Sequence, residues 1–131
     1  MTCHVLIIED EPITALDLEE MFQRHGATSF SFADSEVEAV AAATARRPDI
    51  ISSDVKLREG TGPSAVDSIL KRFGPVPVIF ITATPGECES CHAPALILSK
   101  PVREESIAEA IHELAPGCDI EWLAERFPLR H

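Results

Sequence analysis

Five residues of complementary chemistry stand where apolar runs give way to loops. Glu9 closes the run HVLIIE at residues 4–9 and is followed by Asp10 and Glu11. Asp54 follows DIISS (49–53), Thr82 closes VPVIFIT (76–82), and Lys100 follows ALILS (95–99). Any one of them, taken singly, is a solvated residue at the end of a strand. In an open parallel sheet, however, ligands bind at the carboxyl ends of the strands, and those ends lie together. Three carboxylates, a hydroxyl and an ammonium would then converge. Carboxylates crowded at one edge resist ionisation unless a cation offsets them. A hard divalent ion with oxygen ligands, Mg²⁺ or Mn²⁺ in its place, would do so. With one acceptor carboxylate, a fixed positive charge at Lys100 and a donor at Thr82, the set holds the parts of a phosphoryl transfer, in which positioning and charge neutralisation supply nearly all the catalysis.

A second cluster, CESCH at residues 88–92, matches the attachment pattern of a c-type haem. Covalent haem needs export and a second axial ligand, and the methionines, Met1 and Met21, fall in other elements. Zinc on Cys88, Cys91 and His92 needs a fourth ligand. Cys3 and His4 begin a strand predicted at the opposite end of the sheet. A redox thiol pair would have its reactivity opposed by the neighbouring Glu87 and Glu89. The cluster is therefore read as a polar surface loop with two thiols and no haem, with oxidative modulation as a secondary reading.

The chain's 131 residues suit one domain with a single core. A net charge of −11 argues against nucleic acid or an anionic membrane as the main partner, since both are held by Lys and Arg. No apolar run has the length of a membrane span. The opening MTCHVLIIEDE lacks the pattern of an export signal, so a cytoplasmic protein is expected. Disulfides rarely persist there, and Cys3, Cys88, Cys91 and Cys118 are expected as thiols.

The elements that must position these groups follow from periodicity. Besides the four β-branched runs, expected to be buried on both faces, TSFSF (28–32) reads as a weaker strand. Between the runs lie helical stripes: Val37, Val40, Ala41 and Thr44 behind a Ser35 cap; Val66, Ile69, Leu70 and Phe73; and Ile107, Ala110, Ile111 and Leu114. Pro12 suits the first turn of a helix running to about His25. The order β-α-β-α-β-α-β-loop-β-α predicts an α/β, flavodoxin-like, doubly wound five-stranded parallel sheet of order 2-1-3-4-5. Its fourth helix should be short or irregular, because ATPGECESCHAP is rich in Pro and Gly. Residues 1–115 form the domain and 116–131 a tail. The tail stripe Ile120, Leu123, Ala124 and Phe127 is either a short helix folded onto the domain or a contact for a dimer or partner.

VLIIEDEP (5–12), DIISSDVKLREGTG (49–62), VPVIFITA (76–83) and LSKP (98–101), in that order, resemble the receiver domains of bacterial two-component response regulators. PVIFITA and LSKP resemble in particular the receivers of the alphaproteobacterial general stress response, such as that of PhyR. The resemblance covers residues 4 to about 115. It implies that Asp54 is the phosphoacceptor for a kinase phosphohistidine. It also implies that Glu9, Asp10, Asp54 and the main-chain carbonyl of Lys56 hold Mg²⁺, that Thr82 and Lys100 contact the phosphoryl group, and that Lys100-Pro101 is cis.

Three departures stand out. Glu9 replaces the more usual Asp. Ile97 stands where many receivers carry an aromatic residue that swings with the Thr. The segment from Thr82 to Lys100 is short. The expected function is a single-domain response regulator acting in a phosphorelay as a phosphate sink or partner-binding switch, with the general stress response as the setting that the resemblance suggests. Its partners would be a histidine kinase or phosphotransfer protein and a downstream regulator, with a monomer or weak dimer as its state. Two alternatives are a degenerate receiver used as a binding module and an Asp-nucleophile phosphatase of the haloacid dehalogenase type. The latter would want an acid where Lys56 stands.

Overall fold

The computed structural model describes residues 2–87 and 95–119. Five parallel strands form one sheet in the order β2-β1-β3-β4-β5, as predicted. They are β1 (His4–Ile8), β2 (Ser29–Ala33), β3 (Ile50–Asp54), β4 (Val78–Thr82) and β5 (Ala95–Ser99). The helices are α1 (Pro12–Arg24), α2 (Glu36–Ala45), α3 (Gly62–Phe73) and α4 (Glu104–Leu114). Only a single 3₁₀ turn, Pro85–Glu87, is described between β4 and β5.

Alternation along the strands divides the core into two layers. Val5, Ile7, Ile50, Ile79 and Ile81 point to one face, where Leu18 and Phe22 of α1 and Ile107 and Ile111 of α4 cover them. Leu6, Ile8, Ile51, Val78 and Phe80 point to the other, under Ala39 and Ala43 of α2 and Ala65, Val66 and Ile69 of α3. Each such aliphatic side chain, fully removed from water, contributes about 1.5–3 kcal/mol. β1 and β4 are buried throughout and β3 nearly so, which is why they read as unbroken apolar runs. β5 does not follow that expectation. It is an outer strand with β4 as its single neighbour in the sheet, and Ile97 is 38% exposed.

Helix α2 also departs from its predicted face. The residues it buries are Ala39 and Ala43, while Val37 is 78% exposed. Alanine and valine occupy seven of the ten positions of EVEAVAAATA, so no stripe is marked clearly, and packing selects the face that lets α2 approach the sheet most closely. The Ser35 cap is present: its hydroxyl accepts from the Glu38 N–H at 3.2 Å. Ser35→Ala is expected to lower stability by about 1 kcal/mol in urea unfolding.

Cys3 and Cys118 are not thiols. They form a disulfide with Cα atoms 5.4 Å apart, across a sequence separation of 115. After α4, the turn Pro116–Cys118 carries the chain back beneath the start of β1, and both sulfurs enter the α1/α4 side of the core. The pairing joins the two ends of the described chain, a proximity that no local pattern announces. Cys88, Cys91, His92 and the tail stripe from Ile120 onward lie outside the described residues.

At the start of β1, buried His4 sits between two hydroxyls of β2. Its Nδ1 is 2.8 Å from Ser29 Oγ and its Nε2 2.7 Å from Ser31 Oγ. Burial, more than the nearby Arg46, holds its pKa below the ordinary histidine value. Among the described residues, no helix is long and apolar enough to cross a membrane.

Candidate functional site

The carboxyl ends of β1, β3, β4 and β5 bring the five predicted residues to one edge of the sheet. Glu9 immediately follows β1 and is held there by its N–H, which donates to the Ala33 carbonyl at 2.9 Å. Asp54 is the last residue of β3 and lies opposite Ile81, one residue before Thr82 on β4. Thr82 lies opposite Ser99, so Lys100 leaves β5 beside it. The Lys100 N–H donates to the Thr82 carbonyl at 2.9 Å, and the Lys100-Pro101 peptide is cis.

The side chains are correspondingly close. One carboxylate oxygen from each of Glu9, Asp10 and Asp54 lies within 4.8 Å of the others. Lys100 Nζ reaches into the group, 3.2 Å from Asp54 Oδ2 and 3.6 Å from Glu9 Oε2. The other oxygens are held by main-chain donors. The Val55 N–H donates to Asp54 Oδ1 at 2.8 Å, the Arg58 N–H to Asp10 Oδ2 at 2.9 Å, and the Glu11 N–H to Glu9 Oε1 at 3.3 Å. Buried Thr82 accepts the Thr84 N–H on its hydroxyl oxygen at 3.1 Å. Lys56 forms an antiparallel bridge to Thr61, which closes the loop after β3.

Sequence reasoning did not find two members of this arrangement. One is the Arg58 main chain, which orients Asp10. The other is Gly62, whose N–H donates to the Val55 carbonyl at 2.9 Å and whose missing side chain lets α3 start against Asp54. The signal for Gly62 was its place in GTGP, at the start of the helix that follows Asp54.

Burial, reinforced by the Asp54 carboxylate, raises the Glu9 pKa to about 7, although Lys100 pulls it down. Burial pulls the Lys100 ammonium down in turn, but the carboxylates of Glu9 and Asp54 outweigh it and leave its pKa above the ordinary lysine value. Among the described residues, buried Glu9 Oε2 accepts no hydrogen bond. A desolvated oxygen with the Lys100 ammonium 3.6 Å away and no hydrogen bond, in a set of three carboxylates, fits a hard divalent cation that takes oxygen ligands.

Two outcomes follow. Mg²⁺ should raise the melting temperature in a concentration-dependent way, as any ligand of the folded state does. Without divalent ions, the Glu9 contribution to stability is fully present below its unfolded pKa near 4.5 and is lost as the pH rises through about 7. Wild type should therefore lose stability relative to Glu9→Gln across that window, which paired melts with chelator at several pH values will measure. Taking the difference between the two proteins cancels the opposing titration of His4.

Residues 5–112 match the response regulator receiver domain. Over 117 residues the chain is 38% identical to the phyllosphere-induced regulator PhyR of Methylorubrum extorquens, covering 86% of this chain and 43% of that protein. The solution structure of the receiver domain of Erythrobacter litoralis PhyR superposes with a TM-score of 0.71 at 31% identity, over 87% of this chain and 93% of that one. The crystal structure of the anti-anti-sigma factor PhyR from Bartonella quintana gives 0.75 at 30% identity, over 98% of this chain and 52% of that one. This chain thus spans less than half the length of the M. extorquens relative. Fold, ordered motifs and family match agree: the chain belongs to the response regulator receiver domains.

Proposed function

We propose that Asp54 accepts a phosphoryl group from a phosphohistidine on a histidine kinase or phosphotransfer protein. An oxygen of the Asp54 carboxylate attacks phosphorus, the P–O bond forms as the P–N bond breaks, and the departing imidazole nitrogen takes up a proton. Lys100, already 3.2 Å from Asp54 Oδ2, offsets the negative charge gathered there. Thr82, one register position beyond Asp54's neighbour on β4, offers its hydroxyl to a phosphoryl oxygen. Glu9, Asp10, Asp54 and the main-chain carbonyl of Lys56 would hold Mg²⁺, which supplies neutralisation of the phosphoryl oxygens.

The observation that carries this reading is the close set of three carboxylates with an ammonium between two of them. The phosphorylated domain would act as a switch for a downstream regulatory protein. The likeness to a B. quintana protein described as an anti-anti-sigma factor supports a role in a stress-response circuit of that kind. Intact mass after incubation with acetyl phosphate and Mg²⁺ is the test. Wild type should gain one phosphoryl group, Asp54→Asn none, and Lys100→Ala much less in the same time. An unmodified wild type, with acetyl phosphate and with a panel of phosphorylated kinases, would replace this reading with that of a binding module.

A further inference from the structure

A groove of about 400 Å³ runs between α1, the outer edge of β2 and the start of α2. Ala15, Leu16 and Phe32 supply its apolar wall, and Leu16 and Phe32 are 59% and 48% exposed. Phe32 does not stand alone on its strand, since its ring stacks on Phe30 with centroids 6.3 Å apart. That contact presets the ring and lowers the entropy lost when something covers it. Around this wall stand Asp10, Glu19, Asp34 and Glu38, with no Lys or Arg among the described lining residues. A large apolar pair rimmed by charge of one sign is the make-up of a docking surface rather than of ordinary solvated surface.

The groove is distinct from the side of α1 that carries Thr14, Asp17 and Met21 beside Lys100 and Pro101. An occupant here would leave that side free. A second copy is a poor occupant, because it would set the same acids against each other in a chain of net charge −11. We propose that this groove docks a basic amphipathic segment of a partner protein, with one or two apolar side chains seated against Leu16 and Phe32 and flanking Lys or Arg residues paired with the acidic rim. Asp10 lies in both the groove and the carboxylate cluster, which places the docked segment next to the phosphorylation site.

The test uses the full chain labelled with ¹⁵N and two synthetic peptides of identical Lys and Leu composition. One places its leucines on a single helical face and the other scatters them. The amphipathic peptide should shift amides of α1, β2 and the first turn of α2. Leu16→Ser and Phe32→Ser should each weaken it about tenfold or more, as loss of a central anchor does. Ile97→Ser, on the opposite edge of the sheet, should leave affinity unchanged. Glu19→Gln with Asp34→Asn should weaken binding and flatten its salt dependence. Melting curves establish that each variant is folded. Equal affinity for the scattered peptide, shifts spread over every acidic face, or indifference to Phe32→Ser would overturn the proposal. So would a concentration-dependent dimer of wild type that Phe32→Ser abolishes, since the groove would then belong to a second copy.

Discussion

Gly62→Ala should destabilise this domain by about 3 kcal/mol or more, and slow phosphorylation of whatever fraction still folds. A Cβ placed on Gly62 would lie 1.7 Å from the Asp54 carbonyl oxygen and 2.4 Å from Ser53 Oγ. The first contact is with backbone and cannot be relieved by a rotamer change. The Ser53 hydroxyl also donates to that same Asp54 carbonyl at 2.8 Å, so moving it aside breaks a hydrogen bond. Alanine gains at most about 1 kcal/mol in helix propensity over glycine, which does not offset such a collision. Relief requires α3 to retreat from β3 or the end of β3 to turn, and the second of these moves the Asp54 carboxylate away from Lys100. Urea unfolding and the rate of adduct formation measure the two effects separately. A loss below about 0.5 kcal/mol, the range of ordinary surface changes, would mean that α3 does not start against Asp54 as described.

Opening the Cys3–Cys118 bond should have an effect of similar size by a different route. Closing a loop of this length, with a separation of 115, restricts the unfolded chain by about 4–5 kcal/mol in the chain-entropy account. Reduction should therefore lower the unfolding midpoint in urea and add the mass of two hydrogens. Cys3→Ser should unfold near the reduced midpoint and ignore reductant. Midpoints that coincide with and without reductant would show that this bond makes no contribution to the isolated protein. Both sulfurs are buried, so reduction should be slow unless the domain first opens locally.

The fold and the candidate site were legible to different depths. β1, β3 and β4 are buried on both sides, and such strands announce themselves as apolar runs whose carboxyl ends can be inspected for chemistry. Together with the apolar run of β5, that was sufficient to bring Glu9, Asp10, Asp54, Thr82 and Lys100 together. α3 and α4 read correctly because their apolar and polar faces differ sharply. α2 misled because alanine suits either face, and β5 because its run is as apolar as those of the inner strands although the margin, where the predicted order already placed it, leaves it only partly covered. Cys3 and Cys118 could not be paired, since compartment argued for thiols and their meeting is a property of the whole topology. The Arg58 N–H was invisible for a simpler reason: every residue but proline has one, and only the loop's path aims this one at Asp10.

The imidazole of His4, lodged between Ser29 and Ser31, acts as a vernier for the first pair of strands. SFSFA specifies its own alignment poorly, because its phenylalanines are only partly covered and its serines tolerate water. Two hydroxyls spaced two residues apart can satisfy both nitrogens of one ring in a single setting. Sliding β2 by one residue would strand the ring among phenylalanines and deprive it of both partners. A neutral imidazole donates once and accepts once, so one serine gives a proton while the other takes one, and exchanging tautomers reverses both. The clamp therefore holds in two equivalent proton arrangements, and it is the polar ladder that indexes Phe30 and Phe32 toward α1.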